Sequence, residues 1–322
     1  MNIDERRRQR EEFVVNSLGT GFTMEKASED ASFRSYWRIR WRGKSWIVMD
    51  APPDLEDVRP FVDISTRLRN VRVRTPIVHV ADCDRGFLLL DDFGDALFAD
   101  ALGPTSADGR STKLYDLAFD AMTAMQDAST KGLPIYDNDR LVAEMELFVE
   151  WTLGRQLAYD AAPEWWQSTV GLLLDNAGQQ PQSFVHRDFH CGNLMVVDGT
   201  VGVIDFQDAV RGPVTYDLAS LIWDRYLDWP RSHVEAYAER ARIAWEPDVE
   251  SGVWMRWLDW MGVQRNLKVV GIFARLSLRD GKHGYLRWQA RFLNYLVTAT
   301  GRYPELRDLH DLLVRRVVPR LQ

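Results

Sequence analysis

Residues 184–208 read Phe-Val-His-Arg-Asp-Phe-His-Cys-Gly-Asn-Leu-Met-Val-Val-Asp-Gly-Thr-Val-Gly-Val-Ile-Asp-Phe-Gln-Asp. Three oxygen-bearing side chains stand out by type and spacing. Asp188 is followed five positions later by Asn193, and Asp205 ends the next apolar run. One carboxylate that accepts a hydroxyl proton, with an amide and a second carboxylate that hold Mg²⁺, is the set that phosphoryl transfer needs. Such a reaction asks the chain to position groups and stabilise charge, not to form a covalent bond.

That spacing dictates local structure. A loop must present the base and one metal ligand a few residues apart, and a strand pair must return the second carboxylate to the same point. Gly199 supplies the turn between apolar runs 194–197 and 201–205, which predicts a hairpin. Protein kinases use the same arrangement, with His-Arg-Asp, a following Asn and Asp-Phe. The rival is a decayed, non-catalytic copy, but all three side chains are intact.

The surrounding chain predicts an α+β architecture in two lobes. Residues 5–18 predict an amphipathic helix ended by Gly19 and Gly21. Its basic run Arg6-Arg7-Arg8 and Arg10 predicts a solvated face. Strands are expected at 22–28, 35–41, 45–50, 77–81 and 86–90, with a helix at 55–69 carrying Phe61, Ile64 and Leu68 at helical spacing. From residue 111 onward helices dominate, at 111–129, 138–152, 163–177, 215–227, 231–243, 249–278, 285–300 and 305–318. The expected division is 1–94, a small antiparallel-sheet lobe for nucleotide, and 95–322, a larger helical lobe with the catalytic loop and acceptor site.

Composition excludes several classes. A net charge of −7 argues against a nucleic-acid partner, since such proteins carry a basic field. No apolar run approaches 18 residues, so no membrane-spanning helix is expected. The charged start, Met1 to Glu12, has no secretory h-region, and a cytoplasmic protein is expected. Cys83 and Cys191 show no metal-ligand spacing. A monomer acting on a small molecule is the simplest expectation.

On the nucleotide side, Ser32, Phe33 and Arg34 lie in the loop between the first two strands. Backbone N–H groups, hydroxyls and the Arg34 charge there suit phosphate oxygens, although the usual glycines are missing. The third strand, Trp46 to Asp50, lacks the Lys that protein kinases use to pair with phosphates. Lys44, Arg34 and Arg38 are the candidate replacements. Arg42-Gly43-Lys44-Ser45 is not a P-loop, because position 38 is Arg and a strand–loop–helix context is absent. Leu90, Asp91 and Asp92 lie in a hinge run that offers an adenine ring an apolar wall and backbone groups, or else a plain turn.

On the acceptor side, Gln207, Asp208 and Arg211 follow the metal ligand and are placed to meet an acceptor. Asp208 has the alternative of bracing the loop. Asp217 falls in the first turn of a helix, where the macrodipole favours an acid, and is expected to anchor the catalytic loop. Phe184 to Asn193 with Ile204 to Leu221 resembles the aminoglycoside phosphotransferase/choline kinase superfamily. Asp259 to Leu276, Arg279-Asp280-Gly281-Lys282 and Tyr285-Leu286 resemble the bacterial anomeric sugar kinases acting on N-acetylmuramate and N-acetylglucosamine. Asp30 to Arg34 and the Phe87 to Gly94 run fit the same group.

The resemblance implies a protein-kinase-like fold, ATP and Mg²⁺ as cofactors, and α-1-phosphates as products in cell-wall recycling. His190, Gln207, Asp208, Arg211, Gln264, Lys268 and Arg275 are the candidate acceptor contacts. Gln264, Lys268, Gly271, Arg275 and Arg279 share one helix face. That stripe either meets an amino sugar bearing a carboxylate or pairs with acids elsewhere in the helical lobe. Two other readings stay open: a kinase for aminoglycoside or choline-like amines, and a nucleotide-binding pseudokinase adaptor.

Overall fold

The computed structural model describes residues 3–29, 33–103, 105 and 108–321. The chain divides into two compact units, Met1–Ala101 with Gly192–Asp208, and Leu102–Cys191 with Ala209–Gln322. This differs from a single cut at residue 94. Segment 192–208 belongs with the first unit because its main chain bonds there. Val196 donates to the Ala96 carbonyl at 2.7 Å and Val203 to the Arg74 carbonyl at 2.8 Å.

The first unit opens with α1 (Ile3–Leu18), followed by β1 (Thr23–Glu29), β2 (Ser35–Trp41), β3 (Lys44–Asp50), α2 (Arg59–Asn70), β4 (Val78–Asp82), β5 (Phe87–Asp91) and α3 (Phe98–Ala101). The strands form an antiparallel sheet in the order β1-β2-β3-β5-β4. Arg42 and Gly43, both at positive φ, close the two-residue turn between β2 and β3, the geometry that hairpin twist favours. Phe13 of α1 stacks on Phe87 at 5.4 Å within a core that includes Val14, Ile39, Val48 and Leu89.

The solvated basic face expected on α1 is half wrong. Arg7 and Arg8 are exposed, whereas Arg6 and Arg10 are buried and both reach Asp50 at 2.7 Å. Arg6 also lies over the Phe87 ring and Arg10 over Trp37. A guanidinium that is paired and stacked can be buried, so the helix packs through arginines as well as apolar side chains.

The second unit carries α4 (Gly109–Met125), α5 (Asn138–Leu147), α6 (Trp166–Gly178) and β6 (Gln182–Val185). The chain then crosses to the first unit for β7 (Leu194–Val197) and β8 (Thr200–Val203) and returns for β9 (Val210–Pro213). The rest comprises α7 (Tyr216–Ile222), α8 (Arg231–Trp245), α9 (Ser251–Leu278), α10 (Gln289–Thr300), α11 (Arg307–Leu312) and α12 (Val318–Leu321). Helix α9 is the centre of this unit, packed against α5, α6, α7, α8 and α10.

The expected 55–69 helix begins only at Arg59, 285–300 opens with the 3-10 turn His283–Trp288, and 305–318 is interrupted by the π-helical Leu313–Val317. Two further helices depart from their expected lengths for visible reasons. The expected 138–152 helix is α-helical only to Leu147 and continues as a π-helical stretch, Phe148–Gln156. There α9 comes close: a Cβ at Gly271 would lie 2.4 Å from the Leu147 carbonyl carbon. Gly271 is therefore a packing residue, not part of a polar stripe. The expected 215–227 helix stops at Ile222, and Asp224 caps the turn that follows. Among the described residues no helix is long and apolar enough to cross a membrane.

Candidate active site

The catalytic loop leaves β6 at Val185 and turns sharply at Arg187, whose φ is 78°. A non-glycine residue in that region is strained, and the strain persists only where surroundings over-determine it. Here the surroundings are Asp217. Its two carboxylate oxygens accept from the main-chain N–H of His186 at 2.6 Å and of Arg187 at 3.0 Å. The anchoring role expected for Asp217 is what the structure shows. Burial raises its carboxyl to about 6, even though both N–H donors and His186 oppose the shift.

The far end of the loop is gripped by Asp224. This buried carboxylate accepts from the N–H of Tyr226 at 2.8 Å, Leu227 at 3.3 Å and Cys191 at 3.5 Å, and from the Tyr115 hydroxyl at 3.1 Å. Burial pushes the Cys191 thiol well up, so it is a packed neutral side chain and not a nucleophile. Asp224 gave no signal in the sequence, because the residues around it read as helix interior.

Between these anchors stands Asp188, whose carboxyl is pushed up most strongly by desolvation. Lys268, His190, Arg265 and His186 outweigh that desolvation and hold the carboxyl below its ordinary value of 3.8. His190 is shifted down by burial, and the charges of Arg225 and Arg265 add to that effect. At neutral pH the loop therefore holds an ionised carboxylate beside an uncharged imidazole, the state a proton acceptor requires.

A buried polar cluster lies alongside. Glu144 of α5 accepts from Lys268 at 2.8 Å, Arg187 at 2.9 Å, Gln264 at 3.4 Å and the Tyr136 hydroxyl. The Tyr216 hydroxyl is hydrogen-bonded to that of Tyr136 at 3.0 Å and accepts from Lys268 at 3.3 Å. This corrects the expected substrate stripe: Lys268 and the amide of Gln264 are directed to an acid within the helical unit. Glu144 was missed because nothing marks it among the polar residues of its helix.

The first unit holds Asn193 and Asp205, the pair expected to bind metal. Asp198 and Gly199, both at positive φ, turn β7 into β8, where Val197 faces Thr200. The second strand ends at Val203, earlier than the expected 205, because Asp205 itself adopts φ 61°. Asn193 donates its amide to Asp205 at 3.4 Å, and Gln207 donates to Asp205 and to Asp208 at 3.0 Å each. Gln207 thus braces the ligand, and Asp208 braces Gln207. Phe206 is buried against Phe61 at 4.6 Å, which fixes the turn.

Arg34 bonds to Asp205 at 3.2 Å and pairs with Glu56 at 3.1 Å. Arg38 is engaged by Asp92 and Asp95. Lys44 is exposed at the opposite end of β3 from Asp50, six strand positions or about 20 Å away. Of the three candidates for the missing strand Lys, Arg34 is the one bonded to Asp205.

The remaining expected contacts scatter. Ser32 lies outside the described residues, and Phe33 is exposed. Leu90 is buried in the sheet, and Asp91 accepts from the Ile77 N–H and meets His79. Asp92 is held by Arg38, so the carboxylates of this run are spent on local bonds and only its backbone and apolar wall suit an adenine. Arg211 is exposed on β9, opposite Phe184, in a groove with Tyr136 and Asn138. Arg275 is half-buried on α9.

Among the described residues no group of three His, Cys, Asp or Glu side chains forms a metal cage.

Residues 23–253 match the family model described as the phosphotransferase enzyme family. The chain belongs to this family. It is 44% identical over 296 residues to the N-acetylmuramate/N-acetylglucosamine kinase of Pseudomonas putida, covering 89% of this chain and 86% of the relative. The protein of that name from Neisseria meningitidis is 42% identical over 307 residues, covering 92% and 91%. The resemblance read from 184–221 and 259–286 therefore holds.

Solved phosphotransferase structures agree at the level of fold. An aminoglycoside phosphotransferase in ternary complex with AMP-PNP and hygromycin B superposes with a TM-score of 0.60 at 16% identity, covering 90% of this chain and 99% of that one. A choline/ethanolamine kinase family protein from Mesorhizobium loti gives 0.62 at 14% identity, covering 98% and 99%. The α+β fold of this phosphotransferase is thus kinase-like.

Proposed function

We propose that this protein uses ATP to phosphorylate the anomeric hydroxyl of N-acetylmuramate and N-acetylglucosamine. The observation that carries the reading is the 44% identity, over 89% of the chain, to a kinase named for those two sugars. The intact Asp188, Asn193 and Asp205 support turnover over an adaptor role.

In this reading Asp188 orients the sugar hydroxyl and takes its proton. The anomeric hydroxyl is more acidic than the other sugar hydroxyls, so even a weakly basic carboxylate such as Asp188 suffices. Asp217 and Asp224 hold the loop that carries Asp188, and Arg187 is tied back to Glu144. Asn193 and Asp205 would hold Mg²⁺, with Gln207 fixing the Asp205 Oδ1. When bound, the ion would neutralise charge that develops during transfer. Arg34 adds a positive charge next to Asp205, in place of the absent strand lysine.

The test is ADP release against a panel of acceptors. Both N-acetylated sugars should be turned over, and their 1-O-methyl glycosides should be inert. Phosphorylation of a methyl glycoside, or a preference for a polycationic aminoglycoside, would overturn the assignment.

A further inference from the structure

Helix α9, packed against α5 and α7, carries one buried cation that no hydrogen bond explains. Arg265 is only 4% exposed, and its Nη1 is buried with no hydrogen-bond partner. The neighbouring Gln264 Oε1 is likewise buried and unpartnered, while its amide serves Glu144. A buried guanidinium without hydrogen bonds is costly even with the Asp188 carboxylate in reach of its charge, because removing an ion from water is repaid only by good pairing. Buried polar groups left unpaired in a folded protein call for a missing partner.

Position narrows what that partner is. Arg265 lies three residues after Gly262, where α9 packs directly on Trp223, and three before Lys268, which bonds Glu144 and Tyr216. Trp223 directly precedes Asp224, the anchor of the loop's far end. Arg265 is therefore in the stretch of α9 that backs both ends of the Asp188 loop. Its charge is felt by Asp188, His190 and Tyr216. Arg225, from the turn after α7, acts on His190 as well. Two guanidiniums from separate elements thus bear on one uncharged imidazole.

We propose that Arg265 binds the 3-O-lactyl carboxylate of N-acetylmuramate, and so sets how the enzyme divides its activity between the carboxylate sugar and the neutral one. The assignment rests on the sugar-kinase reading above. It replaces the expected Lys268 and Gln264 contacts, which are directed to Glu144, with a residue whose capacity is unspent. N-acetylglucosamine lacks this group and makes no such bond.

The test compares kcat/KM for both sugars in the wild type, Arg265→Met and Arg265→Lys. A lost charged hydrogen bond corresponds to about 10- to 150-fold. Arg265→Met should lose that much more on N-acetylmuramate than on N-acetylglucosamine, and Arg265→Lys should lose less, because a point charge replaces a fork. A ligand-side arm needs no variant: the methyl ester of the lactyl carboxylate should be turned over by the wild type about 10- to 150-fold less well than the acid. In Arg265→Met the ester and the acid should converge. Equal losses on both sugars, or a wild type indifferent to esterification, would overturn this assignment and leave the kinase reading standing. A wild type that phosphorylates neither sugar would overturn the kinase reading, and this assignment with it.

Discussion

Lys268 donates to Glu144 at 2.8 Å, and both side chains are about nine-tenths buried. The carboxylate also takes Arg187 from the catalytic loop, so one acid on α5 ties the central helix to the base-bearing loop. Removing one partner of a buried pair strands the other, at a cost of about 3–5 kcal/mol. Glu144→Ala should destabilise by that amount in denaturant titration, and Glu144→Ala/Lys268→Met should recover part of it. The pH dependence has a definite sign. Burial works to raise the Glu144 carboxyl, but Lys268, Tyr136 and Arg187 hold it below its ordinary 4.5. Its contribution is therefore complete above about pH 4.5 and disappears as the pH falls through the depressed value. The wild type should lose stability in that acid range, and Glu144→Gln should show a shallower loss. Parallel curves would remove the assignment.

Asp188→Asn should lower turnover on the order of 10²- to 10⁴-fold while nucleotide binding stays nearly intact, because only the proton acceptor is lost. Turnover and nucleotide affinity measured on one folded preparation give the answer. Wild-type turnover would exclude Asp188 as the base.

Asp205→Ala should weaken Mg²⁺-dependent nucleotide binding more than Asn193→Ala, since a full charge is worth more to a hard cation than an amide dipole. Titrating Mg²⁺ against bound nucleotide reads both. An unchanged metal requirement in both variants would remove the two-ligand assignment.

Arg34→Ala should raise the KM for ATP more than Lys44→Ala. Arg34 is bonded to Asp205, whereas Lys44 is about 20 Å along the strand from the Asp50 end. If Lys44→Ala is the damaging variant, the turn lysine carries the phosphate contact instead.

The catalytic motif and most element boundaries were legible because they depend on local chemistry. Asp198-Gly199 demands a tight turn, and Asp217 in a first helical turn announces an anchor. What escaped depends on partners distant in sequence. Arg6 and Arg10 looked solvated because Asp50, their buried counter-ion, is about 40 residues on. Lys268 looked available because Glu144 is 124 positions away. Gly271 matched a polar helix face by spacing, yet its missing side chain is what α5 requires. Arg265 sat outside the chosen stripe, and its isolation became visible only once its neighbours had been assigned partners. The positive φ angles of Arg187 and Asp205 leave no mark in residue type at all.

Asp217 also makes the loop a proton gauge. Its carboxyl in the folded chain titrates near 6, well above the ordinary 3.8. Between those values the folded state takes up a proton that the unfolded chain does not, so this group favours folding in mild acid and the preference is lost as the pH rises through 6. A protonated carboxyl, however, turns one of its two acceptor oxygens into a donor. Both oxygens are occupied by N–H groups of His186 and Arg187, so protonation sets a donor against a donor. Mild acid should therefore loosen the hold on Asp188 in a chain that is still folded, and catalysis should fade on the acid side well before the structure does.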